Sequence, residues 1–325
     1  MLFVYSRRTV LLALAGVVAA SGARAGDYPS RPVKVIVPFG AGGPTDVFVR
    51  EIAVDLEQSL RQPFVIENRP GAGTTIGTDY VAKAAPDGYT LLMASSTQTV
   101  NETLYKDKPY QLLRDLVPIA PLEENDLVLV VNPSVPAKAL AELLALARAK
   151  PGTINFGSSG PGSNYHMAAE LLKNLTGIDI VHVPYKGSTG MRTDILSGQI
   201  QMLFDSVPTM APMVKSGMVR ALGTSGTARS PLLPDVPTIA EAGVPGFQFS
   251  QWVGFMAPKD TPAPVIGLLN KTITAILSRP DVNQAWEKQG ATPMVMTQPE
   301  FAAFMAAQVA KWAKVINDNH IKLID

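Results

Sequence analysis

The hydrophobic pattern of this chain changes period again and again. Short aliphatic runs alternate with stretches whose apolar positions recur every three or four residues. Val33 to Val37 is a β-branched run, and Asp46 to Leu60 follows it with Val47, Val49, Ile52, Ala53, Leu56 and Leu60, which predicts a strand and then a helix. Phe64 to Ile66 predicts a second strand, Thr75 to Ala85 a helix stopped at Pro86-Asp87-Gly88, and Thr90 to Ala94 a third strand. Leu127 to Val131 is a wholly apolar strand closed by Asn132-Pro133. Ala137 to Ala149 sets Leu140, Leu143, Leu144 and Ala147 on one helical face. The alternation continues with strands predicted at 154–156, 180–183, 200–204 and 219–223 and helices at 166–175 and 189–196. A last helix from about Pro299 to Asn319 carries Phe301, Phe304, Met305, Val309, Trp312, Val315 and Ile316 as one core-facing stripe, behind a Thr297–Glu300 capping box. Strands alternating with helices predict an α/β protein with parallel sheets covered on both faces. Such sheets bind ligands beyond the carboxyl ends of their strands.

Loops rich in glycine stand at those ends. After Val37 the chain reads Pro-Phe-Gly-Ala-Gly-Gly-Pro-Thr-Asp46, and after Phe156 it reads Gly-Ser-Ser-Gly-Pro-Gly-Ser-Asn164. Glycine lets backbone N–H groups approach a ligand closely, and a helix N-terminus adds unsatisfied donors and partial positive charge. Each loop alone reads either as a tight, capped turn or as an anion site. Two of them in successive α/β units favour a cleft with donors from both sides. Neither is a phosphate loop, because no Gly-Lys-Ser/Thr follows. Gly71-Ala-Gly-Thr-Thr-Ile-Gly77 has one residue too many for a dinucleotide fingerprint and is discounted as one.

Composition narrows the class. Among 325 residues, 46% are hydrophobic and 17% charged, with a formal net charge of +1, so a packed core is expected and a nucleic-acid footprint is not. The absence of cysteine excludes disulfides, thiolate metal sites and cysteine nucleophiles. Residues 1–25 read as a secretory signal peptide: Arg7-Arg8, the apolar run Val10 to Ala20, and Ala23-Arg24-Ala25 for cleavage, by the general or the twin-arginine route. Its removal takes three arginines from the net charge, leaving about −2. Catalytic chemistry is sparse. No nucleophile elbow, paired-histidine motif or clustered-carboxylate metal site occurs. A serine hydrolase using Ser159 or Ser163 with His166 lacks an orienting acid. His182 alternates toward the sheet surface. Asp205 is either an acceptor for a ligand amine or hydroxyl or the cap of the next helix, and Lys186 is either a ligand cation or a surface lysine.

Several stretches then converge. They are Tyr28–Asp46, Glu67–Met93, Asn155–Leu172, the segment "IVHVPYKGS" around Tyr185, "LFDSVP" around Asp205, and Arg229–Phe247. In order and across nearly the whole exported chain, these resemble the Bug family of periplasmic solute-binding proteins, receptors of tripartite tricarboxylate transporters. The resemblance implies a two-lobed Venus-flytrap protein. Residues 26–125 with 253–325 would form one α/β domain and 126–252 the other, joined by two crossover strands. It implies no enzyme activity and no cofactor. The implied partners are a small carboxylate ligand (di- or tricarboxylate, acidic amino acid or aromatic acid) and the transporter's membrane components, with a signalling partner as the alternative, and the chain itself is expected to be a monomer. The implied ligand contacts are Phe39, Ala41, Gly42, Gly43 and Asp46 in the first loop, Ser158, Ser159, Gly160, Ser163 and His166 in the second, and Tyr185, Lys186, Gly187 and Asp205 on the opposite lobe. Ser95, Ser96 and Thr97 are further donors. Gly40 departs from the proline common in the family, and Ser206 from the asparagine that commonly follows the acid.

Overall fold

In the computed structural model the described residues are 28–41, 44–185, 187–318 and 321; the predicted signal peptide lies outside them, as do Gly42, Gly43 and Lys186. The first half runs β1 (Val33–Val37), α1 (Pro44–Leu60), β2 (Phe64–Asn68), a 3₁₀ turn (Ala72–Thr74), α2 (Thr75–Ala82), β3 (Thr90–Ser95), α3 (Ser96–Leu104), α4 (Leu112–Asp115) and β4 (Leu116–Val131). There follow α5 (Leu140–Ala149), β5 (Asn155–Ser158), α6 (Asn164–Thr176), β6 (Val181–Pro184), α7 (Ser188–Ser197), β7 (Met202–Ser206), α8 (Val207–Lys215) and β8 (Arg220–Thr224). The chain closes with β9 (Ser250–Pro258), α9 (Ala263–Leu277), α10 (Pro280–Lys288), β10 (Ala291–Pro293) and α11 (Gln298–Asp318).

The strand order is β2-β1-β3-β9-β4-β7-β5-β6, with β8 and β10 also on β4. β1 pairs in parallel with β2 and β3, and β5 with β6 and β7. The expectation of purely parallel sheets is corrected here. β9 is antiparallel to both β3 and β4, and β4 is antiparallel to β7 and β8. The reason is the length of β4. Its 16 residues outrun the apolar segment 127–131 that signals a strand. Its first part pairs with β9 from Leu116 to Asp126, and its second with β7 from Leu127 to Val131. One strand thus crosses from one half of the molecule to the other, with β9 beside it.

Each half has its own core. Val33, Val35, Val37, Ile52, Leu56 and Phe255 anchor one cluster, and Leu129, Val131, Phe156, Met202 and Phe204 another. The stripe on α11 spans both halves. Phe301 and Met305 pack with Ile36, Leu92 and Trp252, whereas Trp312, Val315 and Ile316 pack with Leu129 and Phe249. Close approach of α11 requires Gly254 on β9: a Cβ there would lie 2.5 Å from the Phe301 ring and 2.8 Å from the Ala120 carbonyl. At its start, Glu300 accepts from the Thr297 backbone N–H at 2.8 Å and from the Thr297 hydroxyl at 2.7 Å. Among the described residues no helix is long and apolar enough to cross a membrane.

Candidate ligand-binding cleft

A cleft of about 1040 Å³ lies between the two halves and is floored by the crossing strands. Helix N-termini surround it. Asp46 belongs to the first turn of α1, Ser95 and Thr97 to the start of α3, Ser163 and Asn164 to the start of α6, and Gly187 and Ser188 to the start of α7, and all of them line the cleft. Each start has a local cause. Ser95 caps α3 in a capping box, its hydroxyl accepting from the Thr97 N–H and its own N–H donating to Gln98 at 2.9 Å. Ser163 caps α6 by accepting from the His166 N–H at 3.4 Å. Gly187 precedes α7 at φ 128, a conformation that disfavours a side chain.

Asp46 is 2% exposed and is already engaged. The Arg50 guanidinium donates to both its oxygens at 2.8 and 3.2 Å, and the Asn68 amide at 2.9 Å. The same amide donates to the Phe39 carbonyl at 3.0 Å. Asp46 therefore braces the first glycine loop against the end of β2.

The serine–glycine loop is held from beneath. Ser158 is fully buried, bonded to His182 Nε2 at 2.6 Å and accepting from the Gly160 N–H at 3.1 Å. The His182 and His166 rings stack with centroids 3.9 Å apart, and Phe156 continues the stack at 5.0 Å from His182. Burial, and next the neighbouring His166, push the His182 imidazole down to about 3, so it is neutral at physiological pH. His182 thus sits half-buried in this stack rather than at the sheet surface. His166 Nδ1 accepts from the Gly162 N–H at 3.1 Å and its Nε2 faces Glu170 at 3.7 Å. Neither nitrogen is left to act as a base for Ser159 or Ser163.

Of the residues the sequence singles out, Phe39, Asp46, Ser95, Thr97, Ser159, Ser163 and Gly187 line the cleft. Ala41, Ser96, Ser158, Gly160, His166, Tyr185 and Asp205 do not line it. Ser96 instead bonds Asn164 across the two halves at 2.9 Å, and the Tyr185 phenol donates to Asp194 at 2.6 Å. Asp205 has no exposed surface. Arg192 grips it at 2.6 and 3.0 Å, and the Ser206 N–H donates to it at 2.8 Å, so it is held in an ion pair at the end of β7 and does not cap α8.

Other lining residues carry weaker sequence signals. Gly71 to Thr74, set aside as a dinucleotide motif, forms a third glycine loop at the cleft after β2. Its position after a strand was the available signal. Tyr165, just after the serine–glycine loop, lines the cleft too, as do Asn101, Glu123, Asn125 and Gln251, which no motif marks.

A cleft crossed by strands and ringed by helix N-termini defines the class of two-lobed periplasmic solute-binding proteins. Residues 48–321 match the family described as the Tripartite tricarboxylate transporter family receptor, and the chain belongs to that family. It is 41% identical to Protein BugT of Bordetella pertussis over 97% of this chain and 96% of that one. Its fold matches that of R. palustris Rpa4515 with adipate at a TM-score of 0.83 and 34% identity, covering 92% of this chain and all of that one. It also matches MatC from Rhodopseudomonas palustris with bound malate at a TM-score of 0.78 and 32% identity, over 89% and 100% of the two chains. The matching family is one of receptors, not of enzymes.

Proposed function

We propose that the protein captures a small organic carboxylate in this cleft and presents it, with the lobes closed, to the membrane components of a tripartite tricarboxylate transporter. The observation that carries this reading is the convergence of the α1, α3, α6 and α7 N-termini on one cleft whose described lining holds no lysine or arginine. Such a site suits an anion small enough to be met by backbone donors and hydroxyls. Desolvating a carboxylate costs several kcal/mol, whereas each hydrogen bond to it returns about 1.5–3 kcal/mol and each helix terminus about 0.3–1 kcal/mol. One loop is insufficient and three or four suffice. The adipate and malate in two relatives support the same chemistry.

In this reading Phe39, Ser95, Thr97, Ser159, Ser163 and Gly187 contact the ligand. Gly42, Gly43 and Lys186 belong to the same loops. Lobe one comprises residues 26–125 and 253–325, lobe two residues 126–252. The N-terminal signal directs the chain to the periplasm.

A thermal-shift screen of the purified protein against mono-, di- and tricarboxylates tests the reading. At least one carboxylate raises the melting temperature. Stabilisation by neutral sugars with none from any carboxylate overturns it. Ser159→Ala weakens the ligand so found by roughly tenfold, the effect of one hydrogen bond to a charged group. Unchanged affinity by calorimetry removes Ser159 from the site.

A further inference from the structure

The floor of the cleft differs in character from its rim. At the rim, helix N-termini offer donors. At the floor, where β4 and β9 cross between the halves, a buried carboxyl and an unpartnered amide oxygen enter the lining. Glu123 on β4 has no exposed surface and lines the cleft. The protein partner of its carboxyl is the Asn125 amide, which donates to its two oxygens at 3.0 and 3.3 Å. This leaves the Asn125 Oδ1 buried without a partner. Asn101, 1% exposed and also lining the cleft, likewise has an Oδ1 without a partner. A register shift between Pro121 and Glu123 marks an irregularity that re-aims the strand at this point.

No cation compensates Glu123 among the described residues. Opposite it stand Val253 on β9 and Pro293 on β10, and next to it on β4 is Glu124, a like charge. Two donors share this lining: the Gln251 Nε2, which lies near the Tyr165 phenol, and the buried Trp252 Nε1 on β9, which has no partner. Burial pushes the Glu123 carboxyl up to about 8, against the Asn125 hydrogen bond and with a smaller push from Glu124, so the empty cleft holds it protonated at neutral pH.

Building on the carboxylate reading above, we infer that the floor of the cleft receives a protonated amine, so that the ligand is a small carboxylate bearing an ammonium group, selected by Glu123 and Asn125. A second carboxylate brought beside Glu123 would face an acid and the unpartnered Asn125 amide oxygen. An ammonium presents three donors to these acceptors and supplies the charge that Glu123 lacks. On binding, the Glu123 O–H bond breaks, its proton leaves to the buffer, and the carboxylate pairs with the incoming N–H groups.

Calorimetry at pH 7 in two buffers of different ionisation enthalpy tests this with matched pairs. Aspartate is compared with succinate, glutamate with glutarate, and the ω-amino acids of three to six carbons with the dicarboxylates of equal length. In at least one pair the ammonium compound binds at least about tenfold tighter, as one charge-assisted hydrogen bond requires, and releases close to one proton. Glu123→Gln brings that ratio to within about twofold of unity. The inference is overturned if the dicarboxylate binds as tightly in every pair, if binding releases no proton, or if Glu123→Gln keeps the ratio. Should no compound of either kind bind, the carboxylate reading itself fails.

Discussion

Arg192→Ala destabilises the protein by about 3–5 kcal/mol at neutral pH, the cost of leaving a buried charge without its partner. Asp205 has no exposed side-chain surface, and Arg192, 24% exposed, engages both its oxygens. The Tyr165 phenol also interacts with Asp205 and is itself raised, first by burial and then by that charge. Truncating Arg192 leaves an anion held only by the Ser206 N–H and neutral groups. Urea denaturation measures the loss. Adding Asp205→Asn to Arg192→Ala recovers most of it, because the penalty lies in the unpaired charge and not in the missing contacts. A single variant as stable as the parent would show that solvent reaches Asp205 and screens it.

The second large effect depends on pH. Glu123 ionises near 4.5 when unfolded and near 8 in the native state, so between these values the native state binds the extra proton. Stability therefore falls as pH rises through that window, the reverse of a salt-bridged carboxylate. Asp126, raised to about 6 mainly by burial, and Glu124, raised for the same reason, act in the same direction. They remain in Glu123→Gln, so the difference between the two proteins isolates Glu123. Near pH 4.5 the two proteins unfold alike. Across the window each pH step of one costs the parent about 1.4 kcal/mol, so above pH 8 the glutamine variant is the more stable by up to roughly 4 kcal/mol. Denaturant titrations at several pH values check this, and a difference that does not vary with pH contradicts it.

Parts of the site were legible because local chemistry writes them. A strand that turns through glycines onto a capped helix leaves its mark within a dozen residues. The loops after β1 and β5, and Ser159 and Ser163 with them, are therefore legible as segments that line the cleft. Ser158 shows the limit. It is adjacent in sequence to Ser159, yet it faces the His182 ring rather than the cleft, because successive residues at a strand end point in opposite directions. Asp205 shows another. Its place after an apolar strand fits a ligand acceptor or a cap equally well, and only Arg192, thirteen residues upstream, decides in favour of the ion pair. The loop Gly71 to Thr74 is legible as a glycine turn after a strand, but its sequence alone does not mark it as cleft lining. Its place in the lining follows from lying beside the first glycine loop across the parallel pair β1–β2.

The sequence by itself determined the alternation of strands and helices, the glycine and serine caps that aim helix N-termini, and the family to which the chain belongs. Those features rest on interactions within a few residues, which period and residue type report directly. The tertiary structure alone decided that β4 runs through both halves antiparallel to β9, that Asp46 and Asp205 are consumed by arginines, and that Glu123 lies buried without a cation. Burial and charge compensation depend on what distant segments bring to a side chain, and no local pattern encodes them.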